Sequence, residues 1–171
     1  MQLNLIKIRQ AKLEDLKSIA EIKVVGWQSS YRGIVADEYL NSMFVSNQIH
    51  KLKNSYSIEN IFVAESENEI IGFCRFCDYD ESIYCDEEID CEIREIYVRP
   101  DFKRKGIGSK LFLHTKQYFK QNEKKKLCLS CLRDNYNARK FYEKMGATSK
   151  VGKDLIIGDK SYPCVSYVYN L

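Results

Sequence analysis

Apolar residues change period several times along the chain, and each change predicts an element. Leu3, Leu5 and Ile8 alternate with polar positions and predict a short first strand. Leu13, Leu16, Ile19, Ala20, Val24, Trp27 and Tyr31 then recur at three- and four-residue steps, which stripes one face of a helix. A second helical segment is predicted through Tyr39, Leu40, Met43 and Phe44, continuing to Leu52. Ile61 to Ala64 and Ile70 to Cys77 are β-rich runs joined by Glu67, Asn68 and Glu69, which reads as a hairpin. A strand is predicted from Ile89 to Val98. After it, Ile107, Leu111, Phe112, Thr115, Tyr118 and Phe119 mark an amphipathic helix with Lys110, Lys116 and Lys120 on its other face.

Leu127 to Leu132 returns to strand, and Ala138, Phe141, Tyr142 and Met145 stripe a last helix that stops at Gly146. One or two further strands are predicted from Val151 through Ile157 and from Val165 to Leu171. Helices alternating with strands around one mixed sheet define an α/β or α+β fold. No repeat, low-complexity tract or Pro/Gly/Ser-rich linker divides the chain, so residues 1-171 are expected to form a single domain.

Within the strand from Ile89 to Val98, the alternation Ile89, Cys91, Ile93 gives way to Ile96, Val98, so its phase changes near Arg94 and Glu95. One extra residue would do this. A β-bulge there would restore the core-facing register and splay the strand from a neighbour, leaving backbone groups open to an extended ligand.

Composition narrows the setting. Seven Cys set among apolar residues suit reduced, buried thiols, and there is neither a secretory leader pattern at Met1 to Arg9 nor an apolar run long enough to span a membrane. The cytoplasm is the expected location. Net charge is +3, with basic runs at Lys103 to Lys105 and Lys124 to Lys126. Asp78, Asp80, Glu81, Asp86, Glu87, Glu88, Asp90 and Glu92 form an acidic stretch, read either as a solvated hairpin tip or as a cation-attracting lobe.

Candidate chemistry begins after the strand, with Arg99-Pro100-Asp101-Phe102-Lys103-Arg104-Lys105-Gly106-Ile107-Gly108-Ser109 feeding a helix. Successive amides relieved of side-chain bulk at Gly106 and Gly108 can close on phosphate oxygens at the positive end of the helix. By itself this argues only for a phosphate-bearing ligand.

The run Lys103 to Gly108, preceded by Glu95-Ile96-Tyr97-Val98, resembles the signature Arg/Gln-x-x-Gly-x-Gly/Ala that follows the fourth strand in the GCN5-related N-acetyltransferase (GNAT) family. Lys103 stands at the Arg/Gln position, which keeps the charge and loses the planar fork. A second segment, Asn135 to Ala147, is similar to the family's Asn-x-x-Ala-x-x-Phe-Tyr-x-x-x-Gly-Phe, with Ala147 in place of Phe. Trp27, Tyr31, Arg32, Gly33 and Ile34 look like a run common in bacterial members.

The resemblance implies the GNAT fold, a mostly antiparallel sheet of six or seven strands splayed between the fourth and fifth and flanked by about four helices. It implies an acyltransferase that uses acetyl-CoA as cosubstrate, with no metal, and acetylates a primary amine of a small molecule or peptide. The cofactor is then expected along Ile96, Tyr97 and Val98, at Lys103, Arg104, Lys105, Gly106, Ile107, Gly108 and Ser109, and at Asn135 and Tyr142. Tyr142 is the expected proton donor to the leaving thiolate, and Glu95, with Glu92 as its alternative, the base acting through water. A backbone N–H near Val98 would meet the oxyanion. Trp27 and Tyr31 are expected against the acceptor, and a homodimer is compatible with the family.

Three other readings compete. A catalytically silent acyl-CoA sensor would keep the fold and lose turnover. Cys74-x-x-Cys77 with Cys128-x-x-Cys131 suggests zinc, but both pairs lie in predicted strands, where residues three apart face opposite sides. The lysine runs suggest a nucleic-acid module, against which the modest net charge and the acidic stretch argue.

Overall fold

Alternation and helical periodicity are realised as nine strands and five α-helices in a computed structural model that describes residues 6–55, 57–79 and 88–171. The first strand is β1 (Lys7–Gln10); Leu3 and Leu5 of the predicted strand lie outside the described residues. Helix α1 (Leu16–Tyr31) buries Leu16, Ile19, Ala20, Ile22 and Val24, the predicted stripe. Leu13 does not join it. It belongs to a 3-10 turn, Leu13–Asp15, that precedes the helix, and this change of phase leaves it 74% exposed.

The second predicted helix is two: α2 (Asp37–Asn41) and α3 (Val45–Ser55). Ser42 and Met43 N–H groups turn back to the Tyr39 and Leu40 carbonyls, which tightens the chain and swings Phe44 outward. Strands β2 (Ile61–Ser66) and β3 (Glu69–Asp78) form the expected hairpin, whose tip residues Glu67 and Asn68 both adopt the left-handed conformation of a tight two-residue turn. Strand β4 (Cys91–Val98), helix α4 (Ile107–Gln121), strand β5 (Lys126–Leu132) and helix α5 (Tyr136–Lys144) follow at the predicted places. Gly146, at a φ of 90°, ends the last turn.

The tail is richer than predicted, giving β6 (Thr148–Val151), β7 (Leu155–Ile157), β8 (Lys160–Tyr162) and β9 (Cys164–Asn170). Among the described residues, seven strands make one sheet in the order β1-β2-β3-β4-β5-β9-β6, and β7 pairs only with β8. Every neighbouring pair in the large sheet is antiparallel except β4 and β5. One face packs Phe62, Phe76, Ile93, Leu127 and Tyr169 against Leu111, Phe112 and Phe119 of α4. The other packs Val63 and Phe73 beneath Ile19 of α1 and Leu52 of α3. The β7–β8 hairpin docks on α1 and α2, with Ile157 buried beside Val24 and Leu40 and the Tyr162 hydroxyl accepting from the Ala36 N–H at 3.1 Å.

Among the described residues no helix is long and apolar enough to cross a membrane. Cys74 meets Thr115 of α4, whereas Cys77 lies beside Arg94 and Glu92 on the opposite face, so this pair does not converge. Of the acidic stretch, Asp80, Glu81, Asp86 and Glu87 lie outside the described residues. Three of the others have local work: Asp78 pairs with Lys124, Asp90 accepts from the Lys125 and Lys126 amides, and Glu92 pairs with Arg94.

Candidate active site

The phase change in β4 is a bulge. Arg75 faces Glu95 and Phe76 faces Ile93, so Arg94 is the residue without an opposite number on β3. The bulge keeps Ile93 and then Ile96 and Val98 on the α4 side, and turns Glu95 and Tyr97 toward α1. On its other edge β4 pairs with β5 only through Cys91 with Leu127 and Glu92 with Cys128. Beyond Glu92 the parallel strands part, and β5 continues its ladder with β9 alone. Backbone groups of Ile96 to Val98 thus face an opened wedge with no β5 partner.

At the wide end of the wedge the chain turns through Arg104 at a φ of 63° and Gly106 at 78° into α4. Gly106 is the N-cap residue and no side chain caps the helix, so the first amides, those of Ile107, Gly108 and Ser109, are presented outward at the positive end of the helix. A Cβ at Gly108 would lie 3.6 Å from the Phe141 ring and 4.0 Å from Val98, which places this glycine on the wedge between α4, β4 and α5. These features fit a long, phosphate-bearing ligand laid from the α4 N-terminus into the wedge.

Lys103 points elsewhere than expected. Its ammonium reaches the Ser29 and Ser30 hydroxyls of α1 at 3.3 and 3.5 Å. Lys105 lies 4.7 Å over the Phe102 ring.

Inside the wedge, Asn135 caps α5, its side-chain oxygen accepting from the Ala138 N–H at 3.2 Å. Tyr142 follows two turns on, packed on Phe141 and Tyr167, with its own carbonyl accepting from the Tyr169 hydroxyl. Burial holds the Tyr142 phenol well above pH 10, so it is a proton-bearing group at any working pH.

Glu95 is placed differently from a free base. One carboxylate oxygen meets the Lys23 ammonium at 2.6 Å and the other the Arg75 Nε at 2.8 Å, with all three side chains nearly buried. Burial alone would raise its carboxyl; the Lys23 and Arg75 charges outweigh that and hold it below the usual range. Lys23 was missed as a site residue. Its signal was present: it falls on the apolar stripe of α1, four after Ile19 and three before Gly26, and a lysine there needs a buried carboxylate.

Trp27 and Tyr31 meet edge to face at 4.8 Å, and Trp27 packs on Tyr39 of α2. The Trp27 indole N–H is buried without a hydrogen-bond partner. The Tyr31 hydroxyl stands 3.5 Å from that of Tyr97. The structure therefore gathers Tyr31, Glu95, Tyr97, Asn135 and Tyr142 about the wedge, and the loop amides at its mouth.

Comparison with known proteins agrees. The chain is 32% identical over 137 residues to an uncharacterized N-acetyltransferase of Archaeoglobus fulgidus, covering 80% of this chain and 89% of that one. It is 26% identical over 160 residues to a protein named spermidine N(1)-acetyltransferase from Thermoplasma acidophilum, covering 91% and 97%. In fold it resembles the crystal structure of PaiA N-acetyltransferase from Thermoplasma acidophilum in complex with coenzyme A, with a TM-score of 0.73 at 23% identity over 96% and 99% of the two chains. Residues 19–147 match the model of the acetyltransferase (GNAT) family, and with the parted β4 and β5 in the midst of that match, the chain belongs to this family of acyltransferases.

Proposed function

We propose that the protein is an acetyl-CoA-dependent N-acetyltransferase whose acceptor is a primary amine of a small molecule or peptide. The carrying observation is the parting of β4 from β5 after Glu92, beside an uncapped helix N-terminus. Acetyl coenzyme A brings the activated thioester to this site. Backbone groups of Ile96, Tyr97 and Val98 hold the extended arm. The amides from Arg104 to Ser109 hold the pyrophosphate at the positive end of α4, with Arg104 as the nearby charge, while Lys103 stays turned to α1. A backbone N–H near Val98 receives the oxyanion. Asn135 orients the arm from the far side, and Tyr142 gives its proton to the departing thiolate.

Trp27 and Tyr31 line the acceptor's approach. Glu95, locked between Lys23 and Arg75, fits the role of a fixed charge that positions β4 better than that of a base, because both oxygens are engaged and its affinity for a proton is lowered. The likeness to a spermidine N(1)-acetyltransferase makes polyamines the first acceptors to try. The free thiols at Cys74, Cys91, Cys128 and Cys131 suit the cytoplasm.

The test is release of coenzyme A thiol from acetyl-CoA across a panel of polyamines, amino acids, peptide N-termini and aminoglycosides. Release with at least one amine supports the reading. Tight coenzyme A binding with no release from any of them would replace it with an acyl-CoA sensor.

A further inference from the structure

Deprotonation of the acceptor is the step the site as described leaves without an agent. Glu95 has both oxygens in ion pairs, and Tyr142 is a proton donor. Two hydroxyls on the α1 side of the wedge remain. Tyr97 leaves β4 one residue after Ile96 and packs its ring on Phe73 at 5.8 Å and on the helix at Gly26. Its hydroxyl meets that of Tyr31 at 3.5 Å. This is long for two hydroxyls, and contacts of this kind tighten when substrate fills a site. The seat is specifically built: a glycine in the middle of α1 costs the helix about 1 kcal/mol relative to alanine, and here it leaves the space that the Tyr97 ring occupies.

We propose that the Tyr97 and Tyr31 hydroxyls relay the acceptor's proton out of the site, Tyr97 being the group that takes it. The proposal rests on the acetyltransferase reading. The acceptor ammonium passes one N–H proton to the Tyr97 oxygen, and the pair freed on nitrogen attacks the thioester carbon; the thiolate then leaves with the Tyr142 proton, which the second N–H proton replaces. The proton already on Tyr97 passes to the Tyr31 oxygen, and that of Tyr31 passes to water at the half-exposed rim of α1. One proton enters and one leaves, so neither phenol ionises. That suits their setting, since burial raises both and disfavours phenolate. The titratable groups around the pair are Lys23 of α1, Arg75 of β3, Glu95 of β4, Cys131 of β5 and Tyr142 of α5.

The experiment uses Tyr97→Phe and Tyr31→Phe with the best amine from the panel. Both variants keep the ring and its packing, so coenzyme A affinity and the melting temperature serve as checks on folding. The expected result is a fall in kcat of about 100-fold for Tyr97→Phe, the lower end of what a positioned proton-transfer group contributes, with KM for acetyl-CoA unchanged. The rate should then need an amine already neutral in solution, which moves the acid limb of the pH profile upward and favours amines of low pKa. A Tyr97→Phe enzyme with the parent's kcat and pH profile overturns the relay while leaving acetyl transfer intact. A parent that binds coenzyme A and releases no thiol with any amine overturns the acetyltransferase reading, and the relay falls with it.

Discussion

A Cβ on Gly26 of α1 would stand 2.6 Å from Cδ1 of Tyr97 on β4, closer than any side chain tolerates. Helix and strand can meet here because one has no side chain. Gly26→Ala gains helix propensity and displaces the Tyr97 ring, and the second effect wins because a ring braced on Phe73 cannot rotate away. The expected outcome is a loss of about 1–3 kcal/mol in chemical denaturation. Combined with Tyr97→Leu the loss should be less than the sum of the two, which a double-mutant cycle reads as coupling.

The Lys23, Glu95 and Arg75 group predicts an asymmetry. Glu95→Ala removes the carboxylate that two nearly buried cations share and should cost about 3 kcal/mol, more than removal of an exposed pair such as Lys12 with Glu14. The Glu95 carboxyl is held below its unfolded value, so its contribution to stability is present above about pH 4.3 and is lost as pH falls through the folded value. Melting temperature against pH should decline less steeply on the acid side for Glu95→Gln than for the parent.

Gly106 and Gly108 should answer differently to substitution. Gly106 has open space about it and a φ of 78°, so alanine costs backbone strain of about 1–2 kcal/mol and turns the loop amides away from phosphate. At Gly108 alanine fits, whereas Gly108→Trp fills the wedge between Phe141 and Val98. Calorimetric titration with coenzyme A should show a dissociation constant raised at least about tenfold for Gly106→Ala and for Gly108→Trp, a difference of about 1.4 kcal/mol, and little change for Gly108→Ala.

Tyr142→Phe should keep coenzyme A affinity and lower turnover by about 100-fold, the scale of a lost proton donor. Because burial keeps this phenol protonated beyond pH 10, the parent should show no decline below pH 10 that Tyr142→Phe removes. A variant as fast as the parent would remove Tyr142 from the chemistry.

Much of this was legible in the chain. The period of apolar residues placed α1, β2 to β5, α4 and α5, because each buries one face and leaves the other in water. The slip of phase at Arg94 announced the bulge, since a strand that keeps its core face has no other way to absorb an extra residue. Less visible were the break between α2 and α3 and the β7–β8 hairpin. Both are fixed by packing on α1, through Leu40, Ile157 and Tyr162, and not by local pattern. Glu95 could be singled out by position, yet its role could not be read, because its partners lie 72 residues before it in α1 and 20 before it in β3.

The sequence by itself determined the order of most elements, the family and the glycine turn proposed to receive phosphate, all of which are encoded by neighbours along the chain. Only the tertiary structure decided which side chains meet in the wedge. It set Lys23 and Arg75 on Glu95, aimed Lys103 at α1 and brought Tyr97 to Tyr31 across Gly26. Those meetings depend on where β4 parts from β5 and where α1 lies on the sheet, and that geometry comes from close packing among distant residues.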